Sequence, residues 1–380
     1  MIGFSEINQP QNDNPVIKMV GIGGGGGNAI NRMAQVLGTN SVEIIVPNTD
    51  LQDLKKIQAS HLLQLDGICT RDLGAGVKPE IGKEAALENL DLIQKYISGA
   101  DLVFIVTAMG GDFGTGASPV IAQIAKESGA LTIGIVTMPF SFEGIDRRKI
   151  AESGVELIEH FVDTLIVLGN DSLLEMGEQP TSQVDSFVLA DDMIRQAVQS
   201  ISGLTTNEGF VNLDFADVRT IMQDGGKAVM GVGIASGDNR AIVAAEKAVH
   251  SPLLGDCKIT GSQGIIVNMV GGSTTSMHEI NEAACFFQEQ ANDDATIIWA
   301  ASINPELEDQ IKITLIATGI RNNDLQGIPV VSMVENKDQT VRLKNFIDAE
   351  YNKLSPQGKS QFVLKVSQMM KNNTWDSVDS

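Results

Sequence analysis

Apolar runs with few polar breaks alternate with stretches of helical period through the first half of the chain. The runs are VIKMVGIG (16–23), VEIIVPNTD (42–50), ADLVFIVTAMG (100–110), ALTIGIVTMPF (130–140) and TLIVLGND (164–171). A strand with one face in water alternates apolar and polar residues, whereas a strand covered on both faces does not. All five therefore read as buried strands. Between them, NAINRMAQVL and the segments 79–97, 117–128 and 145–160 place apolar residues at helical spacing. This alternation predicts a parallel sheet with helices on both faces, a Rossmann-like α/β fold. Ligands of such sheets bind beyond the carboxyl ends of the strands. The glycine and Asn/Asp clusters of this half fall at those ends.

A longer helical stretch follows at 182–203, with Phe187, Met193, Ile194, Ala197, Val198 and Ile201 recurring on one face. TTNEGFVNLDFADV then reads as a loop. From about 222 the texture changes: KAVMGVGIAS, GSQGIIVNMVGG, ATIIWAAS and IKITLIATG are β-rich, separated by the helical NRAIVAAEKAVHS and MHEINEAACFFQEQA. This predicts a second, smaller α/β domain of four strands. The expected division is a polar lead at 1–14, a first domain at 15–181, a central helix at 182–204 and a loop with its following helix at 205–221. The second domain takes 222–320, and 321–380 is a divergent tail with two amphipathic stretches.

Composition narrows the function classes. The net charge of −21 disfavours a broad basic face for nucleic acid or anionic lipid. It leaves room for a local basic pocket. No apolar run reaches the ~18 residues of a membrane span, and the polar start lacks the features of a signal peptide. Cys69, Cys257 and Cys285 are far apart, which fits a reducing compartment and argues against a cysteine metal site.

Four motifs carry candidate chemistry. GIGGGGGNAI (21–30) lies between a strand and a helix, where backbone amides and a helix N-terminus can hold a phosphate. A tight turn is the plainer reading, although five glycines are costly in chain entropy for that purpose alone. GGDFGTG (110–116) is a second glycine segment on the same sheet edge, with Thr115 and Ser118 placed to cap a helix and Pro119 in its first turn. Two such segments on one edge suggest a polyphosphate held between helix N-termini. DLGAGVKPEIGKEAA (72–86) is a third glycine loop before a helix, or a surface loop. NLDFAD (212–217) presents Asn212, Asp214 and Asp217, which could position a water or a cation or merely cap the next helix. There is no GxxxxGK followed by Ser or Thr, so the chain is not a P-loop protein.

In this order, the segments resemble the tubulin/FtsZ superfamily, and bacterial-type FtsZ within it. The similarity runs from about Ile17 to Ile320 and includes GIGGGGGNAI, VPNTDLQ, GAGVKPEIGKEAA, the glycine loop, MPFSFEG, GNDSLL, NLDFADVRTIM, HSPLL and IATGI. The resemblance implies a GTPase domain that binds GTP or GDP with Mg²⁺. Gly24, Gly25, Gly26, Gly27 and Asn28 then lie at the phosphates and the base side, and Ala75 and Gly76 face the γ-phosphate. The signature loop is Gly110, Gly111, Asp112, Phe113, Gly114, Thr115 and Gly116, and it holds the diphosphate. Glu143 and Arg147 match nucleotide and ribose contacts, and Asn170 a guanine or ribose contact. Phe187 matches the residue that stacks on guanine, and Asp191 the one that reads its amide edge. Asn212, Asp214 and Asp217 match the catalytic synergy loop. About 20 helical residues span ~30 Å, so this loop cannot reach its own nucleotide. It can reach that of the next copy in a head-to-tail filament, which is a contact that does not close on itself.

The implied role is that of a cytoplasmic cell-division GTPase acting in a midcell ring. Its partners are itself and membrane tethers of the division site, with no nucleic acid and no membrane insertion. Two departures bear on this. The usual GGGTGTG is GGDFGTG here, and an ionised carboxylate ~4 Å from a phosphate is repelled by ~4 kcal/mol at an effective dielectric of ~20. Asp112 therefore points to solvent or caps a turn, or contacts Mg²⁺ or water, or marks a degraded loop. The tail also lacks the DIPxFLR-type peptide that recruits tethers. The competing expectations are a weakly hydrolysing nucleotide-binding scaffold and a dinucleotide-binding dehydrogenase.

Overall fold

The computed structural model describes residues 15–320 apart from 38–41, 66–77, 176–182, 207–213 and positions 256, 258 and 293. The expected lead and tail, the Ala75–Gly76 loop and Asn212 fall outside the described residues.

In the first half, β1 (Ile17–Ile22) runs into α1 (Gly23–Leu37), followed by β2 (Val42–Asn48), α2 (Leu51–Leu54) and β3 (His61–Gln64). Next come α3 (Pro79–Glu88), α4 (Leu90–Ile97), β4 (Leu102–Ala108), α5 (Phe113–Glu127) and β5 (Leu131–Met138). The half closes with α6 (Ile145–Glu159), β6 (Thr164–Gly169) and α7 (Asn170–Glu175). The long helix α8 (Gln183–Thr206) and α9 (Phe215–Met222) lead to the second half. There, β7 (Gly226–Ser236), α10 (Arg240–Val249), β8 (Gly264–Gly271), α11 (Met277–Gln290), β9 (Thr296–Ile303) and β10 (Gln310–Thr318) follow.

The strands form one sheet in the order β3-β2-β1-β4-β5-β6-β7-β10-β8-β9. Pairing is parallel except at β10, which runs antiparallel to both β7 and β8. The four strands expected in the second half are present, and they continue the first sheet through a short seam. β6 and β7 pair only at Thr164↔Gly226, Leu165↔Lys227 and Ile166↔Ala228. The strand order reverses at β1, whose neighbours are β2 on one side and β4 on the other. In open α/β sheets that reversal opens a crevice beyond the strand ends. Here α1 and α5 begin at the carboxyl ends of β1 and β4, so two helix N-termini flank the crevice.

Helices cover the sheet because each buries an apolar face. On one side, Ala29, Ile30 and Met33 of α1 and Met193, Ile194 and Ala197 of α8 pack on β1, β4 and β5. The same core reaches Met230, Ile266 and Ile316, so α8 packs against both halves of the sheet. The opposite core of the first half is formed by α3 to α6, and α10 and α11 cover the second half.

α3 and α6 start where the sequence reading put them, at Pro79 and Ile145, but the two glycine-rich starts differ. The run Gly23–Gly27 is the opening of α1 rather than a loop before residue 28. In the second glycine segment α5 begins at Phe113, so Thr115, Ser118 and Pro119 lie within the helix and do not cap it. The expected helix 79–97 breaks at Asn89, which leaves the helical region at φ −114° and ψ 25°. The short edge strand β3 was not anticipated.

Candidate functional site

A cleft of about 410 Å³ opens at the switch point, within the size range of small-molecule sites. Its floor is the carboxyl end of β4 and β5, with Ala108, Met109, Thr137 and Pro139. Gly25, Asn28 and Arg32 of α1 form one wall. Phe187, Ala190, Asp191 and Ile194 of α8 form another, and Glu143, Arg147 and Asn170 complete it. Seven residues singled out from the sequence thus converge: Gly25, Asn28, Glu143, Arg147, Asn170, Phe187 and Asp191.

Two ion pairs set the charge of the cleft. Arg32 Nη1 lies 2.7 Å from Asp191 Oδ2, and Arg147 Nη1 lies 3.2 Å from Glu143 Oε2. Glu143 also accepts from the Phe140 amide through Oε1 at 2.8 Å, which fixes the turn it sits on. Burial pushes the Asp191 carboxyl up to about 6, with Arg32 opposing the shift. Two further features mark the cleft. Asn170 is buried, and its Oδ1 has no hydrogen-bond partner among the described residues. The Phe187 ring is 40 % exposed and is held edge-on by Phe140, with centroids 5.4 Å apart. An orphaned acceptor, a presented ring and a desolvated carboxylate fit the sugar and the donor edge of a guanine nucleoside.

The second glycine segment divides into a turn and a helix start. Gly110 has φ +94°, and a Cβ there would lie 2.8 Å from Arg147 Cγ, so a side chain is excluded on two grounds. The Gly110 amide donates to Thr115 Oγ1 at 2.9 Å, and the Gly116 amide to Asp112 O at 3.0 Å. The Asp112 carboxylate turns back on its own helix and accepts from the Phe113 amide at 2.6 Å. Phe113 itself is 2 % exposed and lies in the core with Ala85, Ala86 and Met109. The aromatic ring is therefore a core anchor beneath the turn and does not face the cleft. Gly114 packs on Thr107, and Gly116 against the Pro79 carbonyl. Gly24, Gly26 and Gly27 face Asp53, Val106 and Ile57 in turn and do not line the cleft, while Gly111 has open space around it.

Asp214 and Asp217 are not brought to the cleft. They lie past the opposite end of α8, whose 24 residues extend ~36 Å. Asp214 occupies the N-cap position of α9 but its side chain makes no capping hydrogen bond, and both carboxylates are exposed. The plain capping role for Asp214 therefore does not apply. Among the described residues, no three His, Cys, Asp or Glu side chains converge to hold a metal ion.

Sequence reasoning missed Arg32, Ala108, Met109, Thr137, Pro139, Ala190 and Ile194 as site residues. The spacing held a signal for some of them. Arg32 is four residues after Asn28, and Ala190 and Ile194 are three and seven after Phe187, all on shared helix faces.

Comparison with known proteins decides the family. The description "Tubulin/FtsZ family, GTPase domain" matches residues 16–178, and "FtsZ family, C-terminal domain" matches 226–321. The chain belongs to the tubulin/FtsZ family. An FtsZ dimer from M. jannaschii is 37 % identical, covering 82 % of this chain and 90 % of that one, with a TM-score of 0.77. CetZ1 from Haloferax volcanii, a GDP-bound monomer, is 19 % identical over 81 % of this chain and 95 % of its own, with a TM-score of 0.68. CetZ2 from the same organism, a GTPγS-bound protofilament, is 16 % identical over 81 % and 94 %, with a TM-score of 0.67. At such identities the CetZ likenesses show the fold alone. The FtsZ-type fold thus has the family's GTPase domain in its first half and the FtsZ C-terminal domain in its second. Membership removes the dehydrogenase reading. No helix among the described residues is long and apolar enough to cross a membrane.

Proposed function

We propose that the chain is a GTP-binding, filament-forming GTPase of cell division, in which the acidic loop of one copy completes hydrolysis on the nucleotide of the next. One observation carries this reading: the cleft and the uncapped acids Asp214 and Asp217 lie at opposite ends of α8. One copy cannot join them, but head-to-tail stacking can. The exposed Phe142 and Ile145, 61 % and 73 % accessible on the cleft side, suit burial in such a contact. Similarity to an FtsZ solved as a dimer supports self-association.

In this reading Phe187 packs on the guanine ring and Asp191 accepts from N1–H and the N2 amino group. Asn170 Oδ1 accepts from a ribose hydroxyl, and Glu143 and Arg147 border the sugar. The diphosphate lies between the N-termini of α1 and α5, at Gly25, Asn28 and the Gly110–Asp112 turn, with Ala75 and Gly76 toward the γ-phosphate. Bound Mg²⁺ would offset phosphate charge. From the neighbouring copy, Asp214 and Asp217 orient and polarise the attacking water and Asn212 assists. The domain division given above, a cytoplasmic location in a midcell ring and recruitment by membrane tethers belong to the same proposal.

The test is GTP turnover against protein concentration with Mg²⁺, read beside sedimentation. Turnover should rise cooperatively above a threshold where polymer pellets, and Asp214→Ala should pellet without turnover. Normal hydrolysis by that variant would overturn the catalytic assignment. A second reading, a weakly hydrolysing scaffold, is favoured by one feature: Phe113 removes a hydroxyl that the usual loop offers. Wild-type polymer without turnover would select it.

A further inference from the structure

The cleft wall holds a cation that the guanine reading leaves unused. Arg32 lies one turn beyond Asn28, with Nη1 2.7 Å from Asp191 Oδ2. The two side chains are 46 % and 16 % exposed, so the carboxylate is withdrawn from water while the guanidinium remains half in it. Burial drives such a carboxylate toward its neutral form, and a nearby cation restores the charge.

The other charged groups around this site are engaged elsewhere. On α8 itself, Asp192 holds Arg195 and accepts from Gln196 Nε2 at 2.6 Å. Across the cleft, Glu143 and Arg147 pair with each other. From α7, Asp171 accepts from Ser141 and lies 3.9 Å from Arg148. Near α1, Asp53 pairs with Lys56. On β10, Lys312 faces Asp192 and Arg195. The β4 and β5 ends contribute Ala108, Met109, Thr137 and Pro139, none of them charged. Among the described residues Arg32 is the one ion-pair partner of Asp191.

The charge state decides what the carboxyl can read. Ionised, both oxygens accept, which matches the two adjacent donors of guanine. Protonated, one oxygen becomes a donor and the match is lost. We propose that Arg32 is a specificity-determining residue of the cleft, which holds Asp191 ionised and so keeps it an acceptor for the guanine edge. This rests on the guanine reading above. With Arg32 in place the carboxyl already stands at about 6. Losing a cation at this distance raises a carboxyl by about 1–3 pH units, which brings the Arg32→Gln midpoint to or above neutrality.

The experiment is GDP binding by calorimetry to the full chain at pH 7 and pH 8.5, for wild type, Arg32→Gln, Arg32→Lys and Asp191→Asn. GDP's own phosphate titrates near pH ~6, so each variant is read as a ratio to wild type. Arg32→Gln should bind about tenfold more weakly at pH 7, the effect of a midpoint about two units higher, and recover to within about twofold at pH 8.5. Arg32→Lys should follow wild type at both. An Arg32→Gln deficit of equal size at both pH values, or none at either, overturns the inference. Asp191→Asn separates the two claims. If it binds GDP as wild type does, or if wild type binds none, the guanine reading fails and this inference with it. If it is weakened while the Arg32→Gln deficit ignores pH, only the role given to Arg32 fails.

Discussion

Phe113→Thr writes the hydroxyl of the usual signature loop back into this chain, and the structure says the protein will lose by it. Phe113 is 2 % exposed and packs with Ala85, Ala86 and Met109. Its ring also approaches α1: a Cβ on Gly23 would lie 3.6 Å from Phe113 Cδ1. An aromatic side chain in this setting buries on the order of 150–250 Å². At ~25 cal/mol per Å² that is ~4–6 kcal/mol, of which threonine's methyl keeps about 1. Phenylalanine truncations in cores cost about 3–5 kcal/mol, so ~4 is expected. That is a large share of a typical total of about 5–15 kcal/mol. The assay is urea unfolding followed by circular dichroism, with Phe113→Leu as the volume-conserving control expected to lose under ~1.5 kcal/mol. A Phe113→Thr loss below ~1 kcal/mol would refute the anchoring role and return the ring to the cleft. The turnover of any variant with a rebuilt loop must accordingly be normalised to folded protein.

Asp191→Asn should stabilise the unliganded protein at neutral pH. The folded carboxyl is raised from 3.8 to about 6, so the folded state binds the extra proton between these values and stability falls as pH rises through them. The shift corresponds to about 3 kcal/mol at pH 7, and melting curves at pH 4 and 7 should show the variant gaining only at the higher value. Gly116→Ala should fail structurally, because its Cβ would lie 1.8 Å from Pro79 O and α3 would have to move. A loss of about 3 kcal/mol or insoluble protein is expected, and a wild-type melting curve would contradict the packing. Arg240→Met should cost about 2–3 kcal/mol at pH 7, less than a fully buried pair because Glu279 is 21 % exposed. Hydrogen bonding to Arg240 is the chief cause that draws the Glu279 carboxyl down to about 2 from 4.5. That stabilisation is complete above pH 4.5 and lost as pH falls toward 2, so the gap between variant and wild-type melting curves should narrow toward pH 2, leaving the part due to the Arg240 bonds to Thr274 and Asp309 O, and widen at pH 7.

The strands of the first half were legible because a sheet covered on both faces writes itself as unbroken apolar runs. β1, β2, β4, β5 and β6 all fall on those runs. The starts of α3 and α6 were read at residues 79 and 145 where they stand, but the glycine-rich starts of α1 and α5 were not legible, because glycine's low helix propensity argues against them. Tertiary contact overrides that preference: a Cβ at Gly26 would lie 2.3 Å from Val106 O, so α1 can rest on β4 only if this turn is bare. β3 has four residues at the sheet edge, too few to show a period. Of the cleft, the first glycine motif supplied Gly25 and Asn28 and the family resemblance supplied Glu143, Arg147, Asn170, Phe187 and Asp191, while Arg32 was legible only by its helical offset from Asn28. That Asn170 Oδ1 has no partner among the described residues depends on neighbours distant in sequence, and no local pattern encodes it.

The distribution of charge in the cleft bears on how a chain of net charge −21 could hold a polyphosphate. Both arginines that line it are paired with acids, so neither offers an uncompensated positive charge. What remains for the phosphates of the proposed nucleotide is backbone. The N-termini of α1 and α5 meet at the switch point, each carrying roughly half a positive charge on amides that lack helical acceptors. Asp112 is compatible with this scheme because its carboxylate is occupied by the Phe113 amide at the head of its own helix. An acid at a helix N-terminus is a favourable placement in its own right, but it also uses part of the field that a phosphate would draw on. Under the proposed function, the departure from the usual loop therefore acts on the strength of phosphate holding. In that reading the base side of the cleft, at Phe187 and Asp191 of α8, is left unchanged.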